Sequence, residues 1–131
     1  MSERINLKGK IVSGCGDFRR RMNSFPDVFR RAMGYAPYPG TLNVDVGLPI
    51  KIKEEFRIRG VDINEPTQDL LFERCVVNGI HGFRVRPFDI ATGGGGHGDN
   101  VLEITCARKV PNATIDSVVQ VTLFRNDISW P

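Results

Sequence analysis

Thr41 and Asn43 are the residues whose types and spacing point most directly to chemistry. They lie in Thr41-Leu42-Asn43-Val44-Asp45-Val46, where polar and apolar residues alternate with period two. That pattern predicts a strand with Leu42, Val44 and Val46 facing inward and Thr41 and Asn43 sharing the other face, about 6–7 Å apart. Two neutral oxygen-bearing side chains on one face can hold a hard cation such as Mg²⁺, which takes oxygen ligands and usually keeps waters and substrate phosphates. The same spacing also fits a plain solvent-facing pair on a half-buried strand. Gly14-Cys15-Gly16-Asp17 follows a predicted strand, and a Gly-x-Gly there can bring backbone N–H groups to a phosphate or simply make a tight turn. The run Arg19-Arg20-Arg21 reads either as a phosphate clamp, since guanidinium grips phosphate oxygens bidentately, or as a solvated basic loop. Glu103 is the only acid in Val101 to Cys106, between two apolar neighbours; by itself it is equally a solvent-facing strand residue.

The elements that must position these residues follow from local pattern. Ile5 to Ser13 reads as a first strand. Ser24 is a candidate N-cap, with Pro26 in the first turn of a helix that buries Phe25, Val28, Phe29, Ala32 and Met33 at i, i+3, i+4 spacing. Gly34 stops it. Pro37-Tyr38-Pro39 stiffens the chain in an extended form, and Gly40 supplies a turn open to glycine, which delivers the chain into the Thr41–Val46 strand. Lys51 to Arg59 reads as a peripheral strand and loop, and Val61 to Asp69 as a surface excursion. Leu70 to Val77 and Ile80 to Val85 form a hairpin about Asn78-Gly79, a strong two-residue turn signal. The glycine-rich Thr92 to Asp99 reads as a mobile loop or lid. Val118 to Phe124 is the last strand. Five or more short strands with one early helix predict a mainly β protein, a compact Greek-key barrel, in one domain over residues 1–131.

Pro37-Tyr38-Pro39-Gly40-Thr41-Leu42-Asn43-Val44, preceded by Gly34-Tyr35, resembles the signature of the archaeal CTP-dependent riboflavin kinases. Lys8 to Gly16 is similar to that family's opening strand and glycine loop, Val77 to Pro87 to its central hairpin, and Val101 to Ile104 to its flavin-contacting strand. The resemblance implies a six-stranded cradle-loop barrel like that of riboflavin synthase, and transfer of the terminal phosphate of CTP to the 5′-hydroxyl of riboflavin, giving CDP and FMN. It implies Mg²⁺ on Thr41 and Asn43. It implies nucleotide contacts from Gly14, Cys15, Gly16, Asp17 and Arg19 on one side, and from Arg108, Lys109, Val110 and Pro111 where the family closes over the nucleotide. It places Glu103 on the ribityl chain of the flavin, as a candidate acceptor of the alcohol proton. The family's flavin-contacting threonine falls near Gly95, leaving Thr92 to take its place. Phe18 follows Asp17 where the family usually carries a further glycine, and the loop is shorter.

Composition bounds the alternatives. The chain has 131 residues, 40% hydrophobic and 25% charged, with a formal charge of +3. That is ordinary for a soluble domain, and too mildly basic to argue for nucleic acid. No apolar run approaches a membrane span and there is no signal-peptide layout, so a cytoplasmic protein is expected, with no membrane partner. Cys15, Cys75 and Cys106 are far apart and read as reduced thiols. His81 and His97 have no metal-ligand spacing. The oligomeric state stays open, with a monomer favoured. Two rivals to a kinase remain. One is a non-catalytic flavin- or nucleotide-binding barrel. The other is a nucleic-acid-binding barrel, which lacks the spread of basic and aromatic residues that a single-strand groove needs.

Overall fold

The computed structural model describes residues 4–14, 17–93 and 98–125. In chain order the elements are β1 (Ile5–Val12), α1 (Asp17–Ser24), α2 (Pro26–Met33), β2 (Leu42–Asp45), β3 (Phe56–Ile58), a 3₁₀ turn (Gly60–Ile63), β4 (Gln68–Val77), β5 (Ile80–Asp89), β6 (Val101–Cys106) and β7 (Val118–Leu123). The strands pair in the order β3-β4-β5-β6-β2-β1-β7, and β7 returns to pair with β4. Six strands, β4-β5-β6-β2-β1-β7, therefore close into an antiparallel barrel, with β3 outside the ring. β4 serves both neighbours: Leu70–Phe72 pairs with β3, and Cys75–Val77 pairs with β7. The predicted mainly β six-stranded barrel is what the chain forms.

Closure buries one face of every barrel strand. Leu7, Ile11, Val44, Cys75, Val77, Leu102, Ile104, Val119, Val121 and Leu123 fill the interior. A second core lies outside the ring, where α1 and α2 cover β4 and β5: Phe18, Met22, Phe29, Met33, Ile58, Ile63, Leu70, Phe72 and Val85. Aromatic edges and faces set its geometry, with Phe18 edge-on to Phe29 at 5.3 Å and Phe56 stacked on Phe72 at 4.8 Å. β4 is thus covered on both faces over residues 69–73, which is why Leu70-Leu71-Phe72 runs apolar rather than alternating.

Several local readings change. The early helical region is two helices, because Phe18 and Met22, spaced i, i+4, are both buried under α1. The arginine run therefore sits on a helix and not in a loop. Ser24 ends α1. Phe25 is the N-cap of α2, without a side-chain capping bond, and Pro26 stands at its start. Gly34 closes α2 as expected, at φ 84°, with its N–H bonded to the Arg30 carbonyl at 2.9 Å. The expected surface excursion at 61–69 instead tucks Ile63 into the outer core. β5 continues through Pro87 to Asp89 because β4 starts two residues earlier, at Gln68, and pairs along its whole length.

Candidate active site

β2 and β6 are antiparallel neighbours, with Asn43 directly opposite Glu103. Val44, Leu102 and Ile104 point into the barrel, so Asn43 and Glu103 share its outer face. Thr41, two residues before Asn43, joins them: its Oγ1 donates a hydrogen bond to Glu103 Oε2 at 2.9 Å. Glu103 Oε1 makes no hydrogen bond among the described residues and stays available to another donor. Val12 on β1 pairs with Asn43 from the other side, and Gly14 follows just beyond the strand. A β-carbon on Gly14 would overlap the Asn43 side-chain amide, so the glycine vacates the space in which that amide lies. Gly40 takes φ +100°, as the Pro-Tyr-Pro-Gly turn requires.

Thr41 also lines a cavity of about 320 Å³. Its apolar floor is Leu42, Ile104, Cys106 and Val110, the Tyr38–Gly40 turn forms one wall, and Arg19, Arg108 and Lys109 surround the mouth. A concave site with an apolar floor and a few convergent charged groups is the usual form of a small-molecule pocket. Three cations and no acid besides the adjoining Glu103 suit a polyanion. Burial pushes the Cys106 thiol up to about 11, so it meets the pocket as a neutral, inert group.

The structure thus brings together Thr41, Asn43, Glu103 and Gly14, and, around the adjoining cavity, Arg19, Arg108, Lys109 and Val110. Asp17 lies at the first turn of α1, with Oδ1 3.9 Å from Arg20 Nη2. Pro111 is exposed and outside the cavity lining. Thr92 stands apart, with its amide N–H bonded to Asp89 Oδ1 at 3.1 Å in the turn after β5. Cys15, Gly16, Gly95 and His97 lie outside the described residues. Residues whose part in the cavity the sequence did not signal are Tyr38, Leu42, Ile104 and Cys106. Only Tyr38, held between two prolines, carries a local hint.

The donor set is of the kind a hard divalent cation takes. Thr41 and Asn43 offer neutral oxygens on one face beside the Glu103 carboxylate, and no cluster of three or more His, Cys, Asp or Glu side chains exists among the described residues. So sparse a protein shell matches a cation that keeps waters and takes its other ligands from substrate phosphates. No helix among the described residues is long and apolar enough to cross a membrane.

Comparison with known proteins identifies the class to which this barrel and its Thr-Leu-Asn strand belong. A family model labelled as CTP-dependent riboflavin kinase, and described as domain of unknown function DUF120, matches residues 11–115. The riboflavin kinase of Staphylothermus marinus is 32% identical over 126 residues, 92% of both chains. That of Aeropyrum pernix is 35% identical over 90 residues, 62% of this chain and 68% of the relative. That of Archaeoglobus fulgidus is 34% identical over 98 residues, 63% of this chain and 40% of the relative. The chain belongs to the archaeal CTP-dependent riboflavin kinase family, and it is a kinase.

Proposed function

We propose that this protein phosphorylates riboflavin at its 5′-hydroxyl to give FMN, with CTP as donor and Mg²⁺ as the required cation. The observation that carries the reading is a juxtaposition at Thr41: it is hydrogen-bonded to Glu103 beside Asn43, and it also lines the cavity that Arg19, Arg108 and Lys109 line. Phosphoryl transfer asks little covalent chemistry of a protein; it asks for charge neutralisation and an aligned acceptor. Thr41 and Asn43 would hold the magnesium, which would supply neutralisation of the phosphate charge. The three cations bind the phosphates, and the apolar floor takes the base. Glu103 hydrogen-bonds the ribityl chain and accepts the alcohol proton through Oε1, while its bond to Thr41 fixes the carboxylate plane. Gly14 supports Asn43; Gly16, Cys15 and Asp17 would contact the nucleotide; and Val110 lines the cavity.

The test is FMN formation by the purified protein with riboflavin and each of CTP, ATP and GTP, with and without Mg²⁺. The reading expects turnover with CTP that is lost on chelation. α1 begins at Asp17, directly where a glycine loop would continue, and this favours the rival of a binding protein. Riboflavin binding with no FMN from any nucleotide would give the rival the place.

A further inference from the structure

Resting on that kinase reading, the geometry points to a specific role for Arg19: it grips the terminal, transferred phosphate of the donor nucleotide. The three consecutive arginines are spread by the 100° helical step into three directions. Arg20 turns back to Asp17 at 3.9 Å on an exposed surface. Arg21 turns to the core side, where it donates to both Glu65 oxygens, at 2.7 and 3.0 Å, and to Gln68 Oε1 at 3.3 Å. That fork pins α1 to the turn after Ile63. Arg19 makes no hydrogen bond or ion pair among the described residues, and it lines the cavity mouth.

Its position within the cavity selects the phosphate. A β-carbon on Gly40 would stand 3.5 Å from Arg19 Nε and 3.8 Å from Nη2, so the guanidinium lies along the Gly40 turn, one residue from Thr41. Thr41 is the residue bonded to Glu103. The phosphate in transfer must lie between the alcohol at Glu103 and the remainder of the nucleotide, and Arg19, held against the turn that leads into Thr41, is placed to meet it. Arg108 and Lys109 enter the cavity from beyond Cys106, the C-terminal end of β6, and fall to the rest of the nucleotide. A guanidinium matches two equatorial phosphoryl oxygens at once and needs no proton transfer, which suits the charge spread over those oxygens in the transition state.

The experiment compares CTP with CDP, which differ only in the terminal phosphate. Calorimetric binding of each, in Mg²⁺ without riboflavin, is measured for the wild type, Arg19→Ala, Arg19→Lys and, as a control for loss of an unrelated cation, Arg30→Ala. Turnover is measured alongside. Arg19→Ala should weaken CTP by roughly tenfold or more, leave CDP unchanged, and lower kcat on the order of 10²-fold, the scale for removing one oxyanion donor. Arg19→Lys should recover part of the CTP affinity, since the charge survives and the fork does not. Equal weakening of CTP and CDP, or weakening of neither, overturns the assignment. A wild type that binds both nucleotides but forms no FMN overturns the kinase reading alone, and the CTP–CDP difference still decides Arg19. Failure to bind either nucleotide removes both.

Discussion

Glu103 and Glu73 are two glutamates on strands of one barrel, and they face opposite ways. Glu103 points outward, half-buried, sharing one oxygen with a hydroxyl. Glu73 points inward at 2% exposure, beside Arg84 and Arg125. Arg84, directly opposite on β5, is 1% exposed, with Nη1 3.9 Å from Glu73 Oε1 and neither Nη hydrogen-bonded among the described residues. Arg125 Nε lies 3.3 Å from Oε2, and Lys53 N–H donates to Oε1 at 3.1 Å. Burial, the largest cause in each case, pushes the Glu73 carboxyl up and the Arg84 guanidinium down to about 10, with the Arg125 and Arg86 charges adding to the fall at Arg84. One carboxylate is half-buried on the outer face with an oxygen to spare among the described residues; the other is locked inside the barrel. Charge inside the barrel ties the 51–53 segment and the chain after β7 to the sheet, whereas charge outside it is left with a free valence.

That contrast is broken most directly at Glu73. Glu73→Ala strips the shared acid from two buried arginines and should cost about 3–5 kcal/mol, the scale for leaving a buried ion without its partner. Urea unfolding measures it, and a midpoint equal to the wild type's would erase the distinction. Glu103→Gln should do the reverse. Stability should hold within ordinary surface scatter, while kcat falls roughly 10²-fold, about 2.7 kcal/mol, if the carboxylate accepts the alcohol proton. Near-normal turnover in Glu103→Gln, with riboflavin affinity lost only in Glu103→Ala, would reduce Glu103 to a positioning group. Asn43→Ala should raise the Mg²⁺ needed for half-maximal activity by about tenfold or more, the lower end of what metal-supporting groups contribute. Gly14→Ala should phenocopy it by displacing the Asn43 amide. An unchanged Mg²⁺ titration in both would remove Asn43 from the metal site. The smallest effect tests the interior's intolerance of charge. Burial raises the Cys75 thiol well above, and the Cys106 thiol to about 11 from, the ordinary 9.0. The unfolded chain therefore loses these protons first as pH rises. Folding stability should fall from pH 9 upward, by less than about 1.4 kcal/mol per pH unit per thiol. Thermal unfolding between pH 9 and 10 should show a shallower decline in Cys106→Ala; an equal slope would acquit that thiol.

What was legible in the sequence was whatever depends on near neighbours. The Thr41–Val46 alternation, the Asn78-Gly79 hairpin with φ of 47° and 82°, and the Gly34 stop all formed as the local chemistry requires. α1 escaped because only Phe18 and Met22 mark its buried face, and three arginines cover the rest. Glu73 and Arg84 escaped because Leu70, Leu71 and Phe72 put apolar residues on both faces of β4, so alternation gives no hint that charges share the inside. The candidate site is legible in its parts and not in their meeting. Thr41 and Glu103 touch across 62 residues of sequence, and their approach is set by the register of β2 against β6. The resemblance assigns Thr41 to the metal and Glu103 to the flavin without joining them, and periodicity has no means to join them.

β1 and β7 pair from Ile5 against Leu123 to Lys10 against Val118. The ring is therefore fastened by the two strands furthest apart in sequence. The β4–β5 hairpin needs only a two-residue loop to zip, but closure must first bear the entropy of a loop spanning nearly the whole chain. During synthesis, β2 and β6 can align soon after Cys106 is made, yet the wall that supports Asn43 through β1 is not sealed until β7 arrives. A nascent chain halted between the two would carry every proposed catalytic side chain and an open barrel, its interior exposed to whatever first meets it.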